Sequence, residues 1–336
     1  PPNSSGHVLL QELDLLEGFD IGALGWHRPA TIHLMVEAKK LAFADREAFL
    51  ADPDYVDVPL AGLLSKAYAA ERRRLIDPQR AAAPNAVLPG DPRSFARRGD
   101  SLAEDTTCFV VVDGDGNAVC QLQSLQQGFG SALVAPGTGV LLNNRMTYWH
   151  LDPQHPDCLA PGKRVRHTMN TVMVFDSLPA RDAPPAGDAA PAAAPDGSSF
   201  DAAPGGSPPA AVGGLGSLRL VLGTPGADTQ VQTNLQLIAG VLDFGLTPAE
   251  AVEAPRWRHI QNPTESTVPH TCTDALNVED RFPSDVRQGL ADLGHPVQVI
   301  GSWDATGSAM LIARDPASGV LHGAADPRRD GHALAW

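Results

Sequence analysis

Glu104-Asp105-Thr106-Thr107-Cys108-Phe109-Val110-Val111-Val112-Asp113 is the stretch on which the reading of this chain turns. Phe109 to Val112 is an apolar run, and Asp113-Gly114-Asp115-Gly116-Asn117 ends it. A second apolar run, Ala118 to Leu122, follows at once. The pattern predicts strand, tight turn, strand, because Gly and Asn accept the positive φ angles of hairpin turns. Thr106 opens the first strand. If the chain cuts itself between Asp105 and Thr106, Thr106 becomes a new N-terminus and carries a nucleophilic hydroxyl and an α-amine base on one residue.

Upstream of that stretch the periodicity is helical. Leu9, Leu13 and Leu16 place a helix over 5–18, with Gly18 as its stop. A longer one is expected over 30–50, with Ile32, Met35, Val36, Lys39 and Phe43 along one side and Asp52-Pro53 beyond its end. A third is expected over 60–76. Residues 78–105 are rich in Ala, Pro, Arg and Gly, and read as an exposed, mobile linker to Thr106. Downstream, 169–175 and 217–222 read as two strands of one hairpin. Between them, 178–216 holds 8 Pro, 12 Ala and 7 Gly in 39 positions, too little apolar surface to offset ordering, so a disordered insertion is expected. Gly223-Thr224-Pro225-Gly226-Ala227-Asp228 then leads into a helix to about 243. Short helices over 248–253 and 283–293 follow, with strands at about 275–278, 296–300, 308–314 and 319–324. Hairpin strands with long helices predict an α+β fold of two antiparallel sheets covered by helices.

Composition excludes several classes. The 25 Lys and Arg stand against 39 Asp and Glu, a net charge of −14, which argues against a nucleic-acid or anionic-membrane binder. No apolar run approaches the ~20 residues that span a bilayer. Cysteines 108, 120, 158 and 272 form no C-x-x-C pair, so neither zinc nor a disulfide framework is read. The glycine clusters match neither G-x-G-x-x-G nor a P-loop. G-x-S-x-G and H-E-x-x-H are absent as well, so no metal and no cofactor is implied. Pro1-Pro2-Asn3 reads as the start of an excerpt from a longer precursor, and the compartment, cytoplasmic or periplasmic, stays unread.

Other stretches carry a resemblance. They are Pro2-Asn3-Ser4-Ser5-Gly6, Glu37 to Arg46, Asp52-Pro53, Asp105-Thr106-Thr107, Pro136 to Asn144, Pro161-Gly162-Lys163-Arg164, Leu222 to Gly226, Glu253-Ala254-Pro255-Arg256 and Asp326-Pro327-Arg328. In this order, end to end except at the insertion, they resemble the γ-glutamyltransferase family of N-terminal-nucleophile hydrolases. The resemblance implies an αββα sandwich and self-cleavage between Asp105 and Thr106. Residues 1–105 would then end a large subunit and 106–336 form a small catalytic one, the two remaining partners. It implies a small-molecule amide substrate, by family default a γ-glutamyl amide such as glutathione, cleaved through an acyl-enzyme that passes to water or to an amine. A large-subunit Arg upstream of residue 1 would help hold the substrate's carboxylate.

The same resemblance assigns roles. Thr106 is the nucleophile, with its α-amine, of pKa about 7.7–8.0 in model peptides, as base. Backbone N–H groups at Gly226 and Ala227 would hold the oxyanion, and Ser124 falls where a second hydroxyl assists the nucleophile. The substrate pocket aligns with Gln126, Arg145 and Tyr148, and the family's paired serines with His167 and Thr168. Here the acid that would hold an α-ammonium is gone and a cation, Arg145, has arrived, and an arginine favours a carboxylate. The pairs Asn144-Arg145 and His167-Thr168 are similar to those of the oxamate amidohydrolase and acylase-like branch. An acyl group with a carboxylate and no α-amine, oxamate-like or glutaryl, is therefore the alternative substrate. A non-catalytic, unprocessed homologue is the alternative of another class. From the residues alone Arg145 could instead form a structural ion pair, Tyr148 and Trp149 could be wall or core, and Arg164 and Arg166 read as basic surface groups.

Overall fold

The computed structural model describes residues 2–95, 108–176, 216–264 and 270–336. The expected cleavage pair Asp105–Thr106 lies outside them. So do residues 177–215, which make up nearly all of the expected insertion.

Helix α3 (Pro29–Phe49) runs through the centre of the helical layer. Pro29 takes its first position, where a missing N–H costs nothing. Thr31 to Arg46 are all buried, so the helix is wrapped on every side rather than amphipathic. Its buried charges need partners. Lys40 Nζ meets Glu37 at 2.7 Å, and Arg46 meets Asp228 at 2.7 Å. Asp45 accepts from Tyr68 Oη at 2.9 Å, Arg72 at 3.2 Å and the Gly90 N–H at 2.8 Å.

Helix α1 (Gly6–Leu16) packs on α3, and a one-turn helix, α2 (Ile21–Leu24), follows Gly18. The helix expected over 60–76 is two, α4 (Leu60–Leu63) and α5 (Lys66–Arg73). Ser65 between them caps α5, its hydroxyl accepting the Tyr68 N–H at 3.2 Å. The linker expected from 78 is tethered as far as Arg93. The Ala81 N–H reaches Leu293 at 2.7 Å, Arg72 donates to the Leu88 carbonyl at 2.8 Å, and Arg93 pairs with Asp57.

Strands β1 (Phe109–Val112) and β2 (Ala118–Gln121) form the expected hairpin, Phe109 opposite Gln121. Asp113 organises the turn by accepting the N–H groups of Asp115 and Asn117 at 3.0 and 2.9 Å. Strands β3 (Val172–Phe175) and β4 (Leu218–Gly223) pair antiparallel with Val172 opposite Leu222, and a bond of 2.8 Å from Asp176 N–H to Ser217 O closes the pair. With β8 (Met310–Arg314) and β9 (Leu321–Ala325) they make one antiparallel sheet in the order β3-β4-β8-β9.

The β1–β2 hairpin lies on one face of that sheet. The sheet closes on it at Gly223, where an added Cβ would stand 2.8 Å from Cys108 Sγ and 2.9 Å from Cys120 Sγ. Helices α6 (Thr229–Leu242) and α7 (Pro248–Glu253) pack against the four-stranded sheet, and α1 lies between α6 and α3. The result is a helix–sheet–sheet stack around one apolar core, which includes Val8, Leu41, Leu222, Leu235 and Leu311.

Three expectations need correction. A third sheet exists, β5 (Trp257–Ile260), β6 (Ala275–Glu279) and β7 (Val297–Ile300). Its β6–β7 pair is parallel, because helix α8 (Ser284–Asp292) makes a crossover between the two strands. Strand β5 itself had no sequence signal. Finally, Arg164 and Arg166 are not loose surface cations. Arg166 is 1% exposed and gives two bonds, of 2.9 and 2.5 Å, to Glu47. Arg164 holds Asp52 at 2.5 Å and Asp54 at 2.7 Å. No helix among the described residues is long and apolar enough to cross a membrane.

Candidate active site

A cavity of about 670 Å³ opens where α3, the start of α6, β5 and the loop through 124–148 converge. Ser124, Gln126, Arg145, Tyr148, Thr168, Gly226 and Ala227 all line it. These residues come from four separate segments, so the fold gathers them.

The oxyanion turn is built by backbone geometry. Gly226 has φ of +135°, open only to glycine, and a Cβ there would stand 2.6 Å from Thr229 Oγ1. Ala227 has φ of +49°, the left-handed region. The turn is pinned from beyond: Thr229 N–H donates to Gly226 O at 2.9 Å, and Gln230 N–H to Ala227 O at 3.1 Å. No described hydrogen bond uses the N–H of Gly226 or Ala227. Two unspent donors at a helix N-terminus beside a cavity suit a developing negative charge.

Arg145 also lines the cavity. It opens a short 3-10 turn over 145–148 and is 6% exposed. Its Nη2 donates to Ser124 Oγ at 3.2 Å, and its guanidinium carbon lies 5.2 Å from the centroid of the Tyr148 ring. Ser124 Oγ also accepts the Gln126 N–H at 2.7 Å. Both bonds use its lone pairs, so the hydroxyl hydrogen is left to donate. Tyr148 is fully buried; burial, with Asp228 nearby, raises its hydroxyl above the ordinary value. Among the described residues, neither the buried Tyr148 hydroxyl nor the buried Gln126 Oε1 has a partner within full hydrogen-bond geometry.

His167 stands apart from this group. Its ring lies behind Tyr148, with Ser5, Arg46 and Arg166 around it, and is not on the cavity lining. Burial and then the Arg145 charge push its pKa down to about 3, so it is neutral at physiological pH. Its Nδ1 accepts the Met169 N–H at 3.2 Å. Thr168, next to it, does face the cavity.

Several lining residues escaped the sequence reading. Asp228 is the only acid on the described lining, and Arg46 and Thr264 hold it at 2.7 and 3.2 Å. Lys39, Arg258, Gln261, Thr306 and Gly307 complete that side. Lys39 had a signal, a lysine on an otherwise apolar helix stripe. Two acid–histidine groups stand elsewhere: His33, Glu37 and His295, and Glu47, His150 and His155. In the first, Lys40 already neutralises Glu37 and His295 Nε2 lies 2.8 Å from His33 Nδ1; in the second, Arg166 takes Glu47. Cations in those positions oppose a metal ion.

The fold is that of the N-terminal-nucleophile hydrolases. A family model described as gamma-glutamyltranspeptidase matches residues 1–182 and 207–336. The chain belongs to that family. It is similar to the glutathione hydrolase-like YwrD proenzyme of Bacillus subtilis, 34% identical over 335 residues, which are 99% of this chain and 53% of that protein. It is 36% identical to the acylase ACY 1 proenzyme of Pseudomonas sp. strain V22, over 100% of this chain and 49% of that protein. The crystal structure of cephalosporin acylase from Bacillus halodurans matches with a TM-score of 0.73 at 32% identity, over 100% of this chain and 50% of that one. The chain thus spans about half the length of the curated relatives it matches.

Proposed function

We propose that this chain is part of a self-processing threonine amidase whose acyl pocket takes a carboxylate-bearing group without an α-amine, such as oxamate-like or glutaryl amides. Cleavage between Asp105 and Thr106 would leave 1–105 in a large subunit and 106–336 as the small one. The Thr106 hydroxyl attacks the amide carbon, and its α-amine takes the proton and returns it to the leaving amine. The carbonyl oxygen, now negative, is received by the N–H groups of Gly226 and Ala227. Water or an acceptor amine then releases the acyl group.

The observation that carries the acyl choice is Arg145, buried on the cavity wall beside Ser124 and Tyr148. A γ-glutamyl group would bring an ammonium to this wall. The one acid on the described cavity lining, Asp228, is already paired with Arg46. A carboxylate meets a planar donor fork instead.

Two measurements test the reading. Intact mass of the full-length precursor is expected to show a fragment beginning at Thr106, absent in Thr106→Ala; an uncut wild type would favour a non-catalytic homologue. Initial rates on glutaryl-p-nitroanilide are expected to exceed those on γ-glutamyl-p-nitroanilide by at least about 10-fold. The reverse order would restore the γ-glutamyl substrate.

A further inference from the structure

The cavity lining also holds Lys39 and Arg258, two cations for which no ion pair is found among the described residues. Lys39 is 1% exposed. Its ammonium donates to Gln261 Oε1 at 3.0 Å, lies 3.4 Å from His259 Nδ1 and sits 3.9 Å from the Phe43 ring centre. Arg258, on β5, is half-buried. Its Nη1 donates to Thr306 Oγ1 at 3.3 Å, and with the Asn277 amide turned so that its oxygen faces the guanidinium, Nε and Nη2 donate to that oxygen at 3.2 Å each. Among the described residues neither is in an ion pair. Both line the cavity, where Asp228 is the only acid and is held by Arg46.

A desolvated cation without a counter-charge is costly, and proteins retain one chiefly where an anion comes to it. Burial, with Arg46 nearby, pushes Lys39 down to about 7 against the pull of Asp228, Glu12 and Asp274, and burial lowers Arg258. The position of this wall is fixed relative to the reacting atoms. Thr306 Oγ1, which Arg258 holds, stands 2.8 Å from Thr229 Oγ1, and Thr229 bonds the Gly226 carbonyl of the oxyanion turn. Arg258 is therefore two hydroxyls from the turn. A scissile carbonyl has two substituents. If its acyl chain runs to Arg145 on the loop through 124–148, its amine runs toward β5.

We propose that Lys39 and Arg258 form a second anion subsite, which takes a carboxylate carried on the amine half of the substrate. The preferred substrate is then an amide with an acid group on each side of the bond that breaks. This rests on the acyl assignment of Arg145 above, and the test separates the two.

The processed, full-length enzyme is assayed with glutaryl-4-nitroanilide and with glutaryl-3-carboxy-4-nitroanilide. The ratio of the two kcat/KM values is expected to favour the carboxylated anilide by at least about 10-fold, and to fall to about one in Arg258→Gln and in Lys39→Met. Arg258→Lys, which keeps the charge, is expected to retain part of the preference. A wild-type ratio of one or less, or a ratio unchanged in both variants, overturns the subsite.

A second readout needs no turnover. Calorimetric binding of 4-aminobenzoate is expected to be at least 10-fold tighter than that of 4-aminobenzamide, and the difference is expected to vanish in Arg258→Gln but persist in Arg145→Gln. If it vanishes only in Arg145→Gln, the anion sits in the acyl pocket and the subsite is wrong. If the binding preference stands while no glutaryl amide is cleaved, the acyl assignment fails and the subsite survives.

Discussion

Two regions of this molecule bury several charges, and they treat them oppositely. Below the C-terminal strands, Arg256 meets Asp326 at 2.6 Å, and Arg328 meets Glu279 at 2.7 Å and Asp326 at 3.1 Å. Arg281 adds a bond of 2.5 Å to Glu279. The remaining carboxylate capacity is filled by N–H groups of Arg256, Ala305 and Ala309. At the cavity, the partners of Lys39 and Arg258 among the described residues are all neutral. A closed network serves the fold, because every group in it is spent on another. An open one keeps charge in reserve for something that arrives.

The largest effect expected from breaking the comparison is in the closed network. Asp326→Ala leaves Arg256 without an ion-pair partner in a buried place and should cost about 3–5 kcal/mol, read as a lowered urea midpoint. A loss under 1 kcal/mol would erase the distinction between the regions. Next comes the oxyanion turn. Gly226→Ala sets a Cβ against Thr229 at a φ that alanine resists, and the displaced donor should lower kcat by about 2.7–4 kcal/mol of barrier. Stability should change far less than activity there, and an active Gly226→Ala enzyme would remove the turn from the mechanism.

Acid should then act through buried histidines. Burial holds His7, His27, His167 and His295 at about 3. Between pH 6.5 and 3 the unfolded chain binds protons that the folded chain refuses. Their contribution is complete above 6.5 and is lost as pH falls toward 3. Glu12 has the opposite sign. Burial raises it to about 8, so its contribution is full below 4.5 and is lost as pH rises through 8. Tm should fall from pH 7 to pH 5, and Glu12→Leu, which removes an opposing loss between pH 4.5 and 8, should steepen that fall and flatten the alkaline limb.

The smallest effects sharpen the contrast. Lys39→Met should leave stability within about 1 kcal/mol of wild type, or raise it, since an unpaired cation contributes nothing to the core. Chemical denaturation of the variant decides this against Asp326→Ala. Ala227→Gly should change stability by no more than about 1 kcal/mol, by relieving a left-handed alanine at a site where glycine gains entropy on unfolding.

The fold was legible wherever a local period was strong. The hairpin at Phe109 and Ala118, helix α3 and the β3–β4 pairing across the insertion all read directly from the chain. Strand β5 did not, because Trp257-Arg258-His259-Ile260 has no clean alternation and its pairing comes from β6. The parallel β6–β7 pair was hidden for a related reason: register between strands is a tertiary fact. At the site, the resemblance located Ser124, Gln126, Arg145, Tyr148, Thr168, Gly226 and Ala227, all of which line one cavity. It could not show that His167 turns its ring behind Tyr148. Nor could it find Arg258 or Asp228, whose meaning depends on which ion partner stands nearby, and no linear motif records that. Arg166 misled because a charged residue reads as surface until its partners, Glu47 and Asp157, are seen across the fold.

The closure of β3 against β4 has a practical consequence. Asp176 and Ser217 are joined backbone to backbone at 2.8 Å, so the chain leaves the sheet and re-enters it at a single point. Replacing 177–216 by an Asn-Gly turn should spare the sheet and the cavity alike. By chain-closure entropy alone it should return about 2 kcal/mol, which makes this junction the natural place to shorten the protein or to graft a reporter into it.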